Sequence, residues 1–226
     1  MSRSTAERAR DAAEKARQAS QSVSSQGAVV GVQRFDNGNL YGLYEGELLD
    51  GVMNGSGVCR WISDGGCEVF EGEWAEGCRH GAGLLLSIKG DAYETYEGAW
   101  KADQRQGTGA RRGPSSDVYS GSWAHNKWDG EGRLEKKDGS IYEGMFKEGK
   151  ICGLGCYQYP SGDLYEGNFV DDEMHGSGVF WYAHGAVYEG GWEKHKKHGE
   201  GKLWYPDGRV VIGEWKNGEE LSVKEM

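Results

Sequence analysis

Proline is scarce in this chain of 226 residues, at three positions. No apolar stretch approaches the roughly 18 residues that a membrane-spanning helix needs. The N-terminus has no apolar segment of the kind a secretory signal peptide carries, so export is not expected. Cysteine is limited to Cys59, Cys67, Cys78, Cys152 and Cys156. An odd, irregularly spaced set without an export signal reads as reduced intracellular thiols. Cys152 and Cys156 form a CxxxC, yet no second ligand pair follows at zinc-site spacing, so no metal is expected. Basic residues are outnumbered, 26 against 36 acidic, for a net charge of −10. That balance argues against nucleic acid and against bulk attraction to anionic membranes.

Hydrophobic residues reach only 37%, whereas glycine supplies 39 residues, tyrosine 12 and tryptophan 9. Such a chain cannot fill a thick aliphatic core, yet it has more aromatic surface than a disordered chain needs. The composition reads as ordered but thin.

Internal periodicity decides the rest. Aligned on an aromatic followed by x-Gly, segments begin at Tyr44, Phe70, Tyr96, Tyr119, Tyr142, Tyr165 and Tyr188. From Tyr96 onward the spacing is 23 residues; the first two units are 26 long, with three extra residues near the second turn. A partial unit starts at Val211 and keeps Gly213 and Trp215. In YEGNFVDDEMHGSGVFWYAHGAV, Tyr165 to Val187, the residues Tyr165, Gly167 and Phe169 alternate with polar ones, as in a strand with one apolar face. Four polar residues form a turn. The eighth position of each unit is held by Gly51, Gly77, Asp103, Asn126, Gly149, Asp172, His195 and Gly218, types that tolerate positive φ. A second strand is expected to start at the Gly-x-Gly, such as Gly176-Ser177-Gly178, with Phe180 and Tyr182 on one face. Each unit therefore reads as a β-hairpin, and consecutive hairpins as one elongated, single-layer antiparallel sheet of about fifteen strands. Paired glycines leave room for rings from neighbouring strands.

These units resemble the MORN repeat family (membrane occupation and recognition nexus), whose units look like YEGEWKNGKRHGKGTYTYADGD. The match runs from about residue 44 to 218. The expected organisation is an arm over 1–27, a degenerate capping strand over 28–43, the repeat array over 44–221 and a tail over 222–226. The capping stretch carries Val29, Val30 and Phe35, then a turn at Asn37-Gly38. In the arm, Ser4-Thr5-Ala6-Glu7 is a capping-box pattern, and Ala6, Ala9, Ala13 and Ala16 form one small-residue stripe. The arm holds five basic and three acidic residues and reads either as a short helix that docks on a partner or as disordered.

The third and fourth units replace aromatics with Arg111-Arg112-Gly113-Pro114 and with Arg133 to Lys137. Pro114 cannot donate to a central ladder, so a break is expected near it. Arg111, Arg112, Lys136 and Lys137 make a candidate basic docking patch; the plainer reading is a solvated, worn repeat. Trp181 and Trp204 occupy equivalent positions opposite Phe180 and Tyr182, where a single-layer sheet would leave them as an exposed pair that either contacts a partner or is covered by an N-terminal or C-terminal segment of the chain. Trp128, in a turn, is a weaker candidate of the same kind.

Catalytic lookalikes fail. His80-Gly81-Ala82-Gly83 is only superficially an esterase oxyanion loop, since its position recurs as His175 and His198, and no G-x-S-x-G elbow accompanies it. No phosphate-cradling glycine motif precedes a helical pattern. The repeated glutamates, Glu45 to Glu189, read as a solvated strand face. The chain is expected to be no enzyme and to bind no cofactor.

The resemblance implies a non-catalytic scaffold for protein–protein assembly. Some members are little more than repeats and belong to microtubule-based structures, including the radial spoke heads of cilia and flagella. A cytoplasmic, cytoskeletal place in an axoneme is the expectation, with other proteins of a large assembly as partners. A homodimer, or pairing with another MORN protein, could use the open sheet edge near Glu214 to Leu221. The resemblance also allows a phosphoinositide-binding membrane adaptor, for which Arg111, Arg112, Lys136, Lys137, Lys194, Lys196 and Lys197 speak. A regulatory subunit is a further alternative; with the sequence running to Met226, an attached methyltransferase domain is not expected.

Overall fold

A computed structural model describes residues 29–36, 40–63 and 65–225. The arm over 1–27 and the Asn37-Gly38 turn lie outside the described residues. The chain divides into two compact units, residues 1–114 and 115–226.

The first unit holds β1 (Val29–Asp36), β2 (Leu40–Leu49), β3 (Val52–Ser63), β4 (Gly66–Ala75), β5 (Cys78–Lys89), β6 (Ala92–Lys101) and β7 (Gln104–Arg112). The second holds β8 (Val118–Ala124), β9 (Lys127–Glu135), β10 (Ile141–Lys147), β11 (Lys150–Gln158), β12 (Leu164–Val170), β13 (Glu173–Trp181), β14 (Val187–Glu193), β15 (Lys196–Trp204), β16 (Val210–Lys216) and β17 (Glu219–Glu225). Within each unit every strand pairs antiparallel with the next, and no helix occurs among the described residues. The all-β meander of hairpins matches the sequence expectation. The break expected near Pro114 does not shorten β7, which ends at Arg112, the same place in its repeat at which β9, β11, β13 and β15 end; Ser116 in the connection has φ 76. Residues 222–225, set apart in sequence as a tail, belong to β17.

Each hairpin closes through two residues of positive φ, such as Asp171 (49) and Asp172 (72) or Lys194 (49) and His195 (65). These are mirror-image turns, whose twist suits the flanking strands. The eighth position is left-handed as expected. The residue before it is left-handed too, even where it is Glu76, Ala102 or Glu148. The turn also ties neighbouring hairpins together. Gly149 N donates to Trp128 O (2.9 Å), Asp172 N to Ile151 O (3.0 Å), His195 N to Met174 O (3.1 Å) and Gly218 N to Lys197 O (2.9 Å).

The second strand does not begin at the Gly-x-Gly. β13 starts at Glu173, and Gly176-Ser177-Gly178 lies inside it, opposite a register shift between Gly167 and Phe169. The two glycines do different things. Gly176 takes φ 64 in the bulged stretch, whereas Gly178 sits under the ring of Tyr165.

The core is a file of rings on one face. In the second unit Tyr142, Tyr157, Tyr165, Phe180, Tyr188 and Leu203 are cross-strand neighbours in turn. Tyr165 meets Phe169 edge-on at 5.1 Å and Trp192 at 5.3 Å. The tyrosine hydroxyl donates to the carbonyl three residues on, at the bulge: Tyr165 to Asn168 (3.0 Å), Tyr96 to Ala99 (2.9 Å), Tyr44 to Glu47 (2.8 Å). Each such ring, fully buried with its hydroxyl satisfied, contributes on the order of 2 kcal/mol. The three extra residues of the first two repeats lengthen β3 and β5 to 12 residues.

Candidate functional site

The face opposite the aromatic file carries the candidate contacts. Cross-strand register places Leu164, Trp181, Val187, Trp204 and Val210 in one row across β12 to β16. Trp181 and Trp204 lie on this face, opposite Phe180 and Tyr182, as alternation predicts. They are half-buried rather than exposed, and Val187 stands between them. The Lys202 ammonium lies 4.7 Å from the Trp204 ring centre, close enough for a cation–π contact.

Two residues along the strands the next row runs Cys156, Glu166, Val179, Glu189, Lys202 and Ile212. It borders a shallow groove of about 1010 Å³, to which Glu143, Leu154, Ser177 and Glu200 also contribute. Leu154 is 67% exposed, a large apolar side chain at the groove's margin. The second unit thus presents an apolar row and a row carrying Glu166 and Glu189 side by side over several strands.

Trp128 has another role than the one its sequence position implies. It lies in β9 and stacks on Tyr119 at 4.6 Å and 12°, with Trp123 at 6.4 Å and Phe146 at 5.6 Å. It is a lid on the aromatic file. The same position holds Arg105 over Tyr96 (5.0 Å) one repeat earlier and Lys197 over Tyr188 (4.8 Å) three repeats later, both cations capping a ring. Burial pushes the Lys197 ammonium below its usual range.

The basic residues do not form a patch within either unit. Arg111 points to the aromatic face, beside Tyr96 in register, and donates to Glu94 Oε2 at 2.6 Å. Glu94 also pairs with Arg105, and these guanidiniums, working against its burial, hold its carboxyl below the usual range. Arg112, in register with Thr95, turns to the opposite face and is exposed. Lys136 donates to the Tyr157 hydroxyl at 3.1 Å, and the Lys137 backbone N–H donates to Asp117 at 2.8 Å. Alternation along a strand splits neighbouring bases between faces, which their adjacency in sequence conceals.

Of the expected edge, Glu214 to Leu221, the part from Glu219 on lies in β17 and the part at Glu214 in β16. β16, with Glu214, is paired on both sides, by β15 and β17; β17 pairs with β16 and is exposed throughout.

Burial raises the Cys59 thiol to about 12 and also lifts those of Cys78, Cys152 and Cys156, so none is poised as a thiolate nucleophile. Among the described residues no group of histidine, cysteine and carboxylate side chains has the arrangement of a metal site.

The sequence profile of the MORN repeat matches residues 44–65, 70–92, 96–118, 119–141, 142–164, 165–187 and 188–208. Comparison with curated proteins gives no significant match.

Proposed function

The chain belongs to the MORN repeat family, and from that premise we propose that it is a non-catalytic scaffold for protein–protein assembly in a microtubule-based structure, the radial spoke head of a ciliary or flagellar axoneme. A family of repeated all-β hairpins offers surface rather than a reaction centre. One observation supports the scaffold reading most: the row Leu164, Trp181, Val187, Trp204 and Val210, which no described element covers. Two half-buried tryptophans flanking a valine make a contact centre with an apolar floor, and the acidic row beside it favours a partner segment bearing lysine or arginine. The β17 edge offers a second seam for another MORN protein or a second copy. Its Glu219, Glu220, Lys224 and Glu225 restrict which strands can add there.

Affinity capture from a ciliated-cell extract, comparing the wild type with Trp181→Ala/Trp204→Ala, tests this reading. Axonemal proteins recovered by the wild type and lost with the double variant are the expected result. Recovery of membrane proteins or lipid kinases instead, with co-sedimentation on phosphoinositide vesicles at physiological salt, overturns it in favour of a membrane adaptor.

A further inference from the structure

The groove of the second unit is framed by two rows of residues on the face away from the rings. One wall runs through Glu143, Cys156, Glu166, Val179 and Glu189, neighbours in register across β10 to β14. The other holds Leu154, Ser177 and Glu200. The floor is the backbone of glycines such as Gly167 and Gly178, where any side chain would point to the Tyr165 ring on the other face. The walls stand two residues apart along the strands, about 7 Å, too narrow for an α-helix about 10 Å across but wide enough for an extended chain. From β10 to β15 the groove runs about 24 Å, room for about seven extended residues.

Its carboxylates differ in what holds them. Glu143 accepts from Arg133. Glu166, Glu189 and Glu200 are exposed, and among the described residues none of them has a cationic partner. Lys202 stands beside Glu189 in register, yet its ammonium lies over the Trp204 ring. The negative field reaches into the wall: burial first, then Glu166 and Glu143, push the Cys156 thiol up. Apolar contacts lie between the carboxylates, Val179 on one wall and the exposed Leu154 on the other.

Glu143, Glu166 and Glu189 recur every second strand, about 9.6 Å apart. A partner lying along this axis crosses strands whose backbone groups are engaged in the ladder, so its own backbone must stay solvated. Polyproline II meets that condition and presents the same side every three residues, about 9.3 Å. A β-strand does so every two residues, about 6.7 Å, and falls out of step with the glutamates.

We propose that this groove receives a polyproline II segment of a partner protein that carries lysine or arginine at every third position. The cations meet Glu166 and Glu189, and apolar residues in the intervening positions meet Val179 and Leu154. The inference deepens the scaffold reading, on which it rests for the occupant being a protein.

Fluorescence anisotropy with the purified full chain tests the proposal. The probes are a labelled peptide of four Arg-Pro-Pro triplets and one of identical composition with its arginines contiguous. At about 0.15 M salt the triplet peptide is expected to bind about tenfold more tightly than the contiguous one. Glu166→Gln/Glu189→Gln is expected to weaken the triplet peptide about tenfold and to abolish the preference. Its circular dichroism should match the wild type, since neither carboxylate holds another described residue. Glu219→Gln/Glu220→Gln removes the same charge on β17, outside the groove, and should leave the affinity unchanged. Absence of triplet binding overturns the proposal, as does equal affinity for the two peptides or equal loss in the two double variants. Extract capture decides the scaffold reading separately: axonemal proteins still recovered while the triplet peptide fails to bind would overturn the groove assignment alone.

Discussion

A methyl group on Gly201 would meet the hydroxyl oxygen of Tyr188 at 2.5 Å and its Cε2 at 2.7 Å, so the ring occupies the space that a side chain at residue 201 would need. Gly201→Ala forces the ring off its bed and is expected to cost about 1–3 kcal/mol. Gly199, two residues earlier, has open space but φ 72, so Gly199→Ala should cost only about 1 kcal/mol of backbone strain. Urea unfolding of the two variants separates the causes.

Removing one hydroxyl tests the bulge bond. Tyr165→Phe leaves the Asn168 carbonyl without its 3.0 Å donor and should cost about 1 kcal/mol. Phe70 occupies the equivalent position in the second repeat and lacks that hydroxyl. Phe70→Tyr is expected to raise the unfolding midpoint; a lower midpoint would show that this hairpin cannot accommodate the bond.

High pH should unfold the array. Burial pushes Tyr96, Tyr119 and Tyr188 up to about 12, against about 10 in an unfolded chain. Between those values the unfolded state releases protons that the folded state keeps, so stability falls as pH rises. It is whole below pH 10 and drops by on the order of 1 kcal/mol per ring at pH 11. Phenolate absorbance should rise together with loss of the sheet's circular dichroism; full ionisation at pH 11 without unfolding would contradict this.

Ala102 carries φ 48 in its turn, where a side chain is strained. Ala102→Gly should therefore stabilise by about 0.5–1 kcal/mol. Asp103→Ala should do the reverse, since Asp103 Oδ1 accepts from the Arg79 backbone N–H (3.1 Å) and Nε (2.9 Å). Thermal melts of the two variants check the signs.

Trp128→Ala should lower stability by about 2 kcal/mol while partner capture through Trp181 and Trp204 survives, because Trp128 stacks within the aromatic file. Loss of capture with unchanged stability would reassign it to a contact.

The hairpins were legible because ring, glycine and turn residue recur at fixed positions, and the sheet follows from alternation. The left-handed residue before each eighth position was not, since Glu76, Ala102, Glu148 and Lys194 have no bias toward it; the two-residue turn imposes it. Similarly, Trp181 and Trp204 were legible as one face by counting along their strands. That Val187 separates them, that Trp128 covers Tyr119, and that Arg111 is held by Glu94 depend on which residues meet across strands. One-dimensional spacing does not carry that information.

The bond from each turn to the hairpin before it recurs at the same place in every 23-residue step, from Gly149 to Trp128 through to Gly218 to Lys197. Within the second unit this makes length a counted quantity. Excising one whole step rejoins identical neighbours, whereas excising one residue fewer would turn every later ring to the wrong side. Growth or loss by recombination is thus confined to whole graduations of about 9.6 Å, as on a ruler whose marks are cut into the backbone.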